Sequence, residues 1–312
     1  MNPGKKQQYI GMGLAVLSAM IWSGNFIVAR GIIKQLPPVS ISFYRWGTAV
    51  LIMLPFAWKS FSAEKAIVFR HWRYLLLVSF AGISLYNTFI YIAGHHSPAI
   101  NLALIGTTSS PVFAIILAAI FLREKITSMR ITGLLICIAG IVLLLSKGSW
   151  DRLKAFQFST GDVYMLIAGL LFAIYNVLAR KKPEGISPLN FLFTICLTGT
   201  LLLLPFFLWE TSHAAPVQWN GNLLLIVLYL GLGNSFIAYL CWNASIARLG
   251  AARTALFGNL IPVFSSLEAV LILGEELTSL HWISGILVIA GLVIATIQST
   301  TATKTTINTG ER

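Results

Sequence analysis

Ten times along this chain a run of about 20 mostly apolar residues appears, the length a helix needs to cross the hydrocarbon core of a bilayer. The runs lie at roughly 10–33, 40–58, 73–94, 98–121, 127–146, 161–180, 187–208, 221–246, 252–273 and 281–299. They are continuous, without the period-two alternation of a transmembrane β-barrel. With 57% hydrophobic and 10% charged residues over 312 positions, and a mean hydropathy of +0.81, the chain lacks the polar surface to cover a soluble globule of its size. The expected fold class is an all-α polytopic membrane protein with ten transmembrane helices. The longest connection, around Lys147 to Thr160, is about 14 residues, too short to hold a soluble catalytic domain between helices. A signal peptide would also place Lys5 and Lys6 ahead of an apolar run, but this run is long and is not followed by a cleavage site with a polar mature start.

Lys and Arg set the orientation. Sixteen of them, from Lys5 and Lys6 through Arg123, Lys125, Arg180 and Lys181 to Lys304 and Arg312, fall on one side of the expected membrane. Only Arg30, Lys34, Lys147, Arg152 and Lys154 fall on the other, which predicts cytoplasmic termini. The net charge of +12 is then mostly a topology signal. It does not indicate a nucleic-acid partner, because the basic residues are dispersed over short loops and are not clustered with exposed aromatics. Cys137, Cys196 and Cys241 each sit inside an apolar run without CxxC spacing, and read as small core hydrophobes.

The second constraint is internal repetition. "WSGNFIVAR", Trp22 to Arg30, returns as "FAIYNVLAR", Phe172 to Arg180. Shifted by 150 or 151, Gly11 falls on Gly161, Pro38 on Pro188, Phe43 on Phe193, Pro55 on Pro205 and Ala139-Gly140 on Ala290-Gly291. "PVFAIILAAIFLREKIT" from Pro111 aligns without gaps on "PVFSSLEAVLILGEELT" from Pro262. A five-helix unit is therefore present twice. Five is odd, so the second copy must enter the membrane from the opposite side, giving an inverted-topology repeat. In secondary transporters that architecture exchanges two similar conformations about a midplane site. The expected organisation is a first repeat at 1–148, a linker at 149–160, a second repeat at 161–300 and a polar tail at 301–312, with a central cavity between the repeats.

These paired Pro-containing helices, each running into a Leu-x-Glu-x-x-Thr turn and a Gly-rich final helix, resemble the paired EamA repeats of the drug/metabolite transporter superfamily. "WSGNFIVAR" and "ISFYRWGTAVLIMLP" fit the same pattern, and the resemblance covers roughly residues 10–298. Within the superfamily the chain is most similar to bacterial exporters of aromatic and other amino acids. The resemblance implies a ten-helix inner-membrane carrier that moves a small metabolite, an amino acid in that branch, outward without a cofactor.

Polar side chains in a bilayer core are costly unless they face protein or water. On that ground the expected pathway residues are Asn25, Tyr86, Asn87, Asn101, Thr108, Tyr175, Asn176, Tyr239, Trp242 and Asn259. They place spans one, three, four, six, eight and nine around the pathway and leave the others outside or at a homodimer face. Each has a plainer alternative: Thr can bond its own helix, Asn can join helices, and Tyr or Trp can be core or belt aromatics. Pro111 and Pro262 are expected to bend their helices and free carbonyls.

Arg45 and Glu268 are charges inside spans at depths that permit an ion pair, and neither has a charged repeat mate: Arg45 meets Ile195 and Glu268 meets Leu117. They are candidates for a gate, with Glu268 also a candidate carrier of a coupling proton; a static pair is the alternative. Glu124 and Glu275 fall at turns and read as local caps. His95 and His96 lack further ligands at metal-binding spacing, so no metal site is expected. There is no GxSxG, HExxH or Walker A pattern, and the two aspartates, Asp151 and Asp162, lie at or beyond helix ends. An intramembrane enzyme or a structural protein would leave the duplication unexplained.

Overall fold

The computed structural model describes residues 3–32, 35–97, 99–154, 157–273 and 278–296. Among the described residues the chain is helical and has no strand. The long helices are α1 (Pro3–Ile32), α2 (Pro38–Arg70), α3 (Trp72–His96), α4 (Ala99–Leu122) and α5 (Ser128–Ser146), then α6 (Thr160–Arg180), α7 (Pro188–His213), α8 (Gly221–Leu249), α9 (251–273) and α10 (Ser279–Thr296). Among the described residues eight of them, α2 to α8 and α10, are long and apolar enough to cross a membrane. α1 begins with Lys5, Lys6, Gln7 and Gln8, and α9 is assembled from an α-turn, a 3₁₀ segment at Phe257–Leu260 and a second α-segment.

Local signals explain the starts. Pro38 and Pro188 occupy the first turns of α2 and α7, where a missing N–H costs nothing. Thr127, Ser159, Ser187 and Asn220 cap α5, α6, α7 and α8 with side-chain oxygens. Several boundaries differ from the sequence reading: α1 begins at Pro3, seven residues before position 10, and α7 ends at His213, five beyond 208. α2 runs twelve residues beyond position 58, to Arg70, because the charged stretch around Glu64 and Lys65 continues the helix past the apolar run. The linker holds a short helix, Trp150–Lys154.

The most extensive contacts all join one half of the chain to the other: α5 with α10, α2 with α7, α4 with α6, α1 with α9, α1 with α8, and α3 with α6. In repeat terms these are fifth with fifth, second with second, and the first helix of each copy with the third and fourth of the other. The mates α5 and α10 run antiparallel. Gly133 of α5 faces Gly291 and Ala295 of α10, whereas Gly140, two turns later, faces Ser284, Leu287 and Val288. A side chain at Gly133 would strike the Gly291 carbonyl, so the two backbones meet where neither carries a Cβ.

Carboxylates tie the halves together at helix ends. Glu64, late in α2, accepts from Ser187 N (2.9 Å) and Asn190 Nδ2 (2.6 Å) at the start of α7. Glu210, late in α7, accepts from Val39 N (3.0 Å) and Ser40 N (2.7 Å) at the start of α2. Each end of the pair is thus closed by a negative charge on a helix N-terminus. Glu124 also reaches across: it accepts from Ala251 N at 3.1 Å, at the start of α9, and lies 3.6 Å from Arg130. It caps the other half and is not the local cap expected from sequence, while Glu275 lies outside the described residues.

Candidate functional site

Seven aromatic rings from five helices meet where the halves cross. Trp22 on α1 lies 5.7 Å from Phe172 on α6 and 4.8 Å from Trp242 on α8. Tyr86 on α3 stacks on Phe172 at 4.6 Å and 21°. Tyr239 on α8 packs edge-on against Trp22 (5.4 Å), Trp46 of α2 (5.1 Å) and Tyr175 of α6 (5.6 Å). Trp22 and Phe172 are repeat mates, 150 positions apart, so the centre of the cluster is where the two copies of one segment touch. Each such ring pair is worth about 0.5–1.5 kcal/mol beyond its burial. Trp46, Tyr175, Tyr239 and Trp242 are closed off, at 0 to 1% exposure.

Polar tips surround the rings. Trp242 Nε1 donates to Asn176 Oδ1 at 2.8 Å, and Tyr175 OH donates to Asn243 Oδ1 at 2.6 Å. Asn87 Nδ2 donates to Tyr239 OH (3.4 Å), which in turn donates to Gly82 O (3.4 Å). Trp22 Nε1 donates to Asn234 O at 3.0 Å. Both accepting carbonyls lie in π-helical segments, Phe80–Leu85 in α3 and Leu230–Ile237 in α8, which begin 150 positions apart. A π-turn inserts a residue and takes a carbonyl off the regular i−4 ladder, and here each copy aims it at the rings.

Six expected residues therefore come together: Tyr86, Asn87, Tyr175, Asn176, Tyr239 and Trp242. Asn25 Oδ1, Asn176 Nδ2, Asn243 Nδ2 and both amide atoms of Asn234 are buried without a hydrogen-bond partner in the protein. Such atoms are costly unless something else meets them. Thr108 instead bonds Leu104 O of its own helix at 2.7 Å, the plainer alternative. Asn259 is fully buried in the 3₁₀ turn of α9 and faces Cys137, apart from the rings. The side chain of Asn101 lies outside the described residues. Pro111 sits within the continuous helix α4, and Pro262 in the first turn that follows the 3₁₀ segment of α9.

Arg45 and Glu268 do not pair in this conformation. Arg45 is buried and donates from Nε to Ser235 Oγ (2.6 Å), from Nη1 to Tyr91 OH (3.2 Å) and from Nη2 to Asn234 O (3.4 Å). Glu268 Oε1 accepts from Ser23 Oγ of α1 at 2.6 Å, and its Oε2 has no partner in the protein. Equal depth along two helices placed them at one level but said nothing of azimuth, and the carbonyl released by the α8 π-turn takes one of the guanidinium's donors.

Trp22, Phe172 and Trp46 belong to the site but were absent from the expected set. The repeat could have revealed the first two: an aromatic kept at the first position of both aligned segments marks the axis between them.

A solved crystal structure shares the fold at a TM-score of 0.71 and 20% identity, the match covering 94% of this chain and 96% of that one. An "Uncharacterized transporter" of Archaeoglobus fulgidus is 29% identical over 91% of this chain and 96% of its own length. A "Probable amino-acid metabolite efflux pump" of Escherichia coli is 23% identical over 90% of this chain and 93% of its own. The EamA-like transporter family matches twice, at residues 9–146 and 159–297. With both repeats matched, and with apolar helices meeting at a ring-lined centre, this multi-pass membrane protein belongs to the EamA-like transporter family of the drug/metabolite transporter superfamily.

Proposed function

We propose that the chain is a secondary carrier that exports amino acids, aromatic and other neutral ones, across a bacterial inner membrane by alternating access. In this reading ten helices span the bilayer as two inverted repeats, 1–148 and 161–300, joined by 149–160, and both termini lie in the cytoplasm. The antiparallel packing of mate helices supports the inversion, and the efflux-pump relative supports the direction and the cargo class.

One observation carries the reading: rings and unpartnered amide groups occupy the same centre, at the meeting point of Trp22 and Phe172. Ring faces suit the side chain of an aromatic or aliphatic amino acid. The free N–H groups of Asn176 and Asn243 suit its carboxylate, and the free oxygens of Asn25 and Asn234 suit its ammonium. Because the rings are buried in this conformation, the site is loaded only when the halves part on one side, which is what rocking about the shared centre provides.

The test is efflux from proteoliposomes loaded with labelled Phe, Trp, Met, Thr, Ala, Lys or Glu, beside empty vesicles and a Tyr86→Ala variant. Saturable flux that favours Phe, Trp and Met and falls in the variant is expected. Flux for none of them would reject the amino-acid cargo and leave other small metabolites or drugs of the superfamily as the substrate class.

A further inference from the structure

A cavity of about 270 Å³ opens at the Glu210 end of the α2–α7 pair, lined by Ser40, Tyr44, Phe207, Thr211, Val217 and Trp219 among others. It lies apart from the ring-lined centre. Tyr44 stands edge-on to Phe207 at 5.3 Å and to Trp219 at 5.0 Å, and Phe207 is held from behind by a parallel stack on Phe43 at 4.1 Å. The connection from α7 to α8, residues 214–219, covers one side.

The repeat supplies an internal control. At the 150-residue shift Ser40 becomes Asn190, and both donate to the capping carboxylate of the other half. Phe43 is repeated as Phe193, which meets Phe61 edge-on at 5.8 Å, and Trp219 as Phe69, but the two rings that face each other across the cavity are not: Tyr44 becomes Thr194 and Phe207 becomes Ala57. At that Glu64 end Ile67 closes against Gly185, and Ile186 is buried. Capping α2 and α7 therefore does not require an aromatic cavity, since the other copy caps without one.

The chemistry of the walls points to a ligand. No lining residue is charged. The carboxylate of Glu210 lies beneath at the cap, and the C-terminal carbonyls of α7 carry the negative end of its dipole. Ring faces are negative as well. The N-terminus of α2, at Pro37 and Ser40, brings a positive dipole end to the same wall, but the full charge of Glu210 already caps it, so the balance disfavours an anion and favours a cation with an apolar body. At about 30 Å³ per water volume, the space suits a ligand of about ten non-hydrogen atoms.

We infer that this vestibule is a second binding site, for a small ring-bearing organic ammonium ion. On the orientation proposed above it faces away from the cytoplasm, where an exported or external amine meets it first. Binding is tested at equilibrium by calorimetry on the full chain in nanodiscs, with phenethylammonium, neutral 2-phenylethanol and anionic 3-phenylpropionate. Saturable binding of the ammonium is expected, weakened about tenfold for the alcohol and for Trp219→Ala or Tyr44→Ala. Tyr44→Phe, which keeps the ring, should bind as the parent does. Equal affinity for all three probes, no saturable binding, or loss in Tyr86→Ala but not in Trp219→Ala would each overturn the assignment. No flux is read, so failure here leaves the carrier reading intact, and failed transport would leave this site standing.

Discussion

The α1–α9 and α6–α4 joints are two copies of one contact, yet only one of them carries a carboxyl group. In the first, Ser23 donates to Glu268 at 2.6 Å. In the second the corresponding residues are Ala173 and Leu117, packed in an apolar cluster with Ala114 and Ala255. The copy without it shows that the joint packs without a carboxyl group, so packing does not explain why α9 carries one, buried against α1 in an apolar stretch where it is expensive. Where the copies agree, as in the two π-turns, the two carboxylate caps and the antiparallel glycine contact, the duplication is serving the fold. Where they differ, at Glu268, Arg45 and the outer vestibule, a task other than folding is the better account.

The largest expected effect lies at the point of closest agreement. Trp22→Ala and Phe172→Ala should each cost about 3–5 kcal/mol of stability, read by thermal unfolding in detergent. Because these mates touch, the double variant should cost less than the sum by about 0.5–3 kcal/mol. Strict additivity would mean that the two segments do not form a shared centre. Next come Gly133→Val and Gly291→Val, each forcing a side chain into the other helix's backbone. Costs of about 1–3 kcal/mol that match between the two would confirm reciprocity. A harmless Gly291→Val beside a damaging Gly133→Val would break it.

Glu64→Gln and Glu210→Gln weaken the two caps, and each should lower stability by about 0.3–1 kcal/mol, nearly equally. A clear inequality would show that one end of the α2–α7 pair carries more load. The smallest effect on stability is expected for Glu268→Gln, within about 0.5 kcal/mol because the mirrored joint dispenses with the group. Its consequence should be functional: export that responds to an imposed pH gradient in the parent should lose that response in the variant. Unchanged rates and an unchanged pH response would confine Glu268 to its bond with Ser23.

Much of the fold was legible because burial in a bilayer and duplication both write long patterns. Apolar runs located most helices to within a few residues, except where polar or charged residues prolonged the start of α1 and the ends of α2 and α7 beyond the run. The shift between copies identified which helices are mates. Six site residues were legible for a similar reason, since Tyr, Trp and Asn stand out against Leu and Ile. Azimuth was not legible. Arg45 and Glu268 share a depth but face different neighbours, and Thr108 turns back on its own helix. The π-turns have no sequence period of their own, so the carbonyls of Gly82 and Asn234 had no signature, although they fix Tyr239, Trp22 and Arg45. Cross-repeat capping by Glu64, Glu210 and Glu124 likewise depends on which helix ends lie side by side.

The central claim is that one ring-lined site is presented alternately to the two faces of the membrane. Counterflow tests it most directly: proteoliposomes preloaded with excess unlabelled phenylalanine are diluted into a trace of labelled phenylalanine with no ion gradient. A carrier that returns only by exchanging its cargo should drive the label to a transient internal excess, an overshoot that Tyr86→Ala reduces. Uptake that rises to equilibrium without overshoot, at the same rate with or without preloading, would contradict alternating access about this centre.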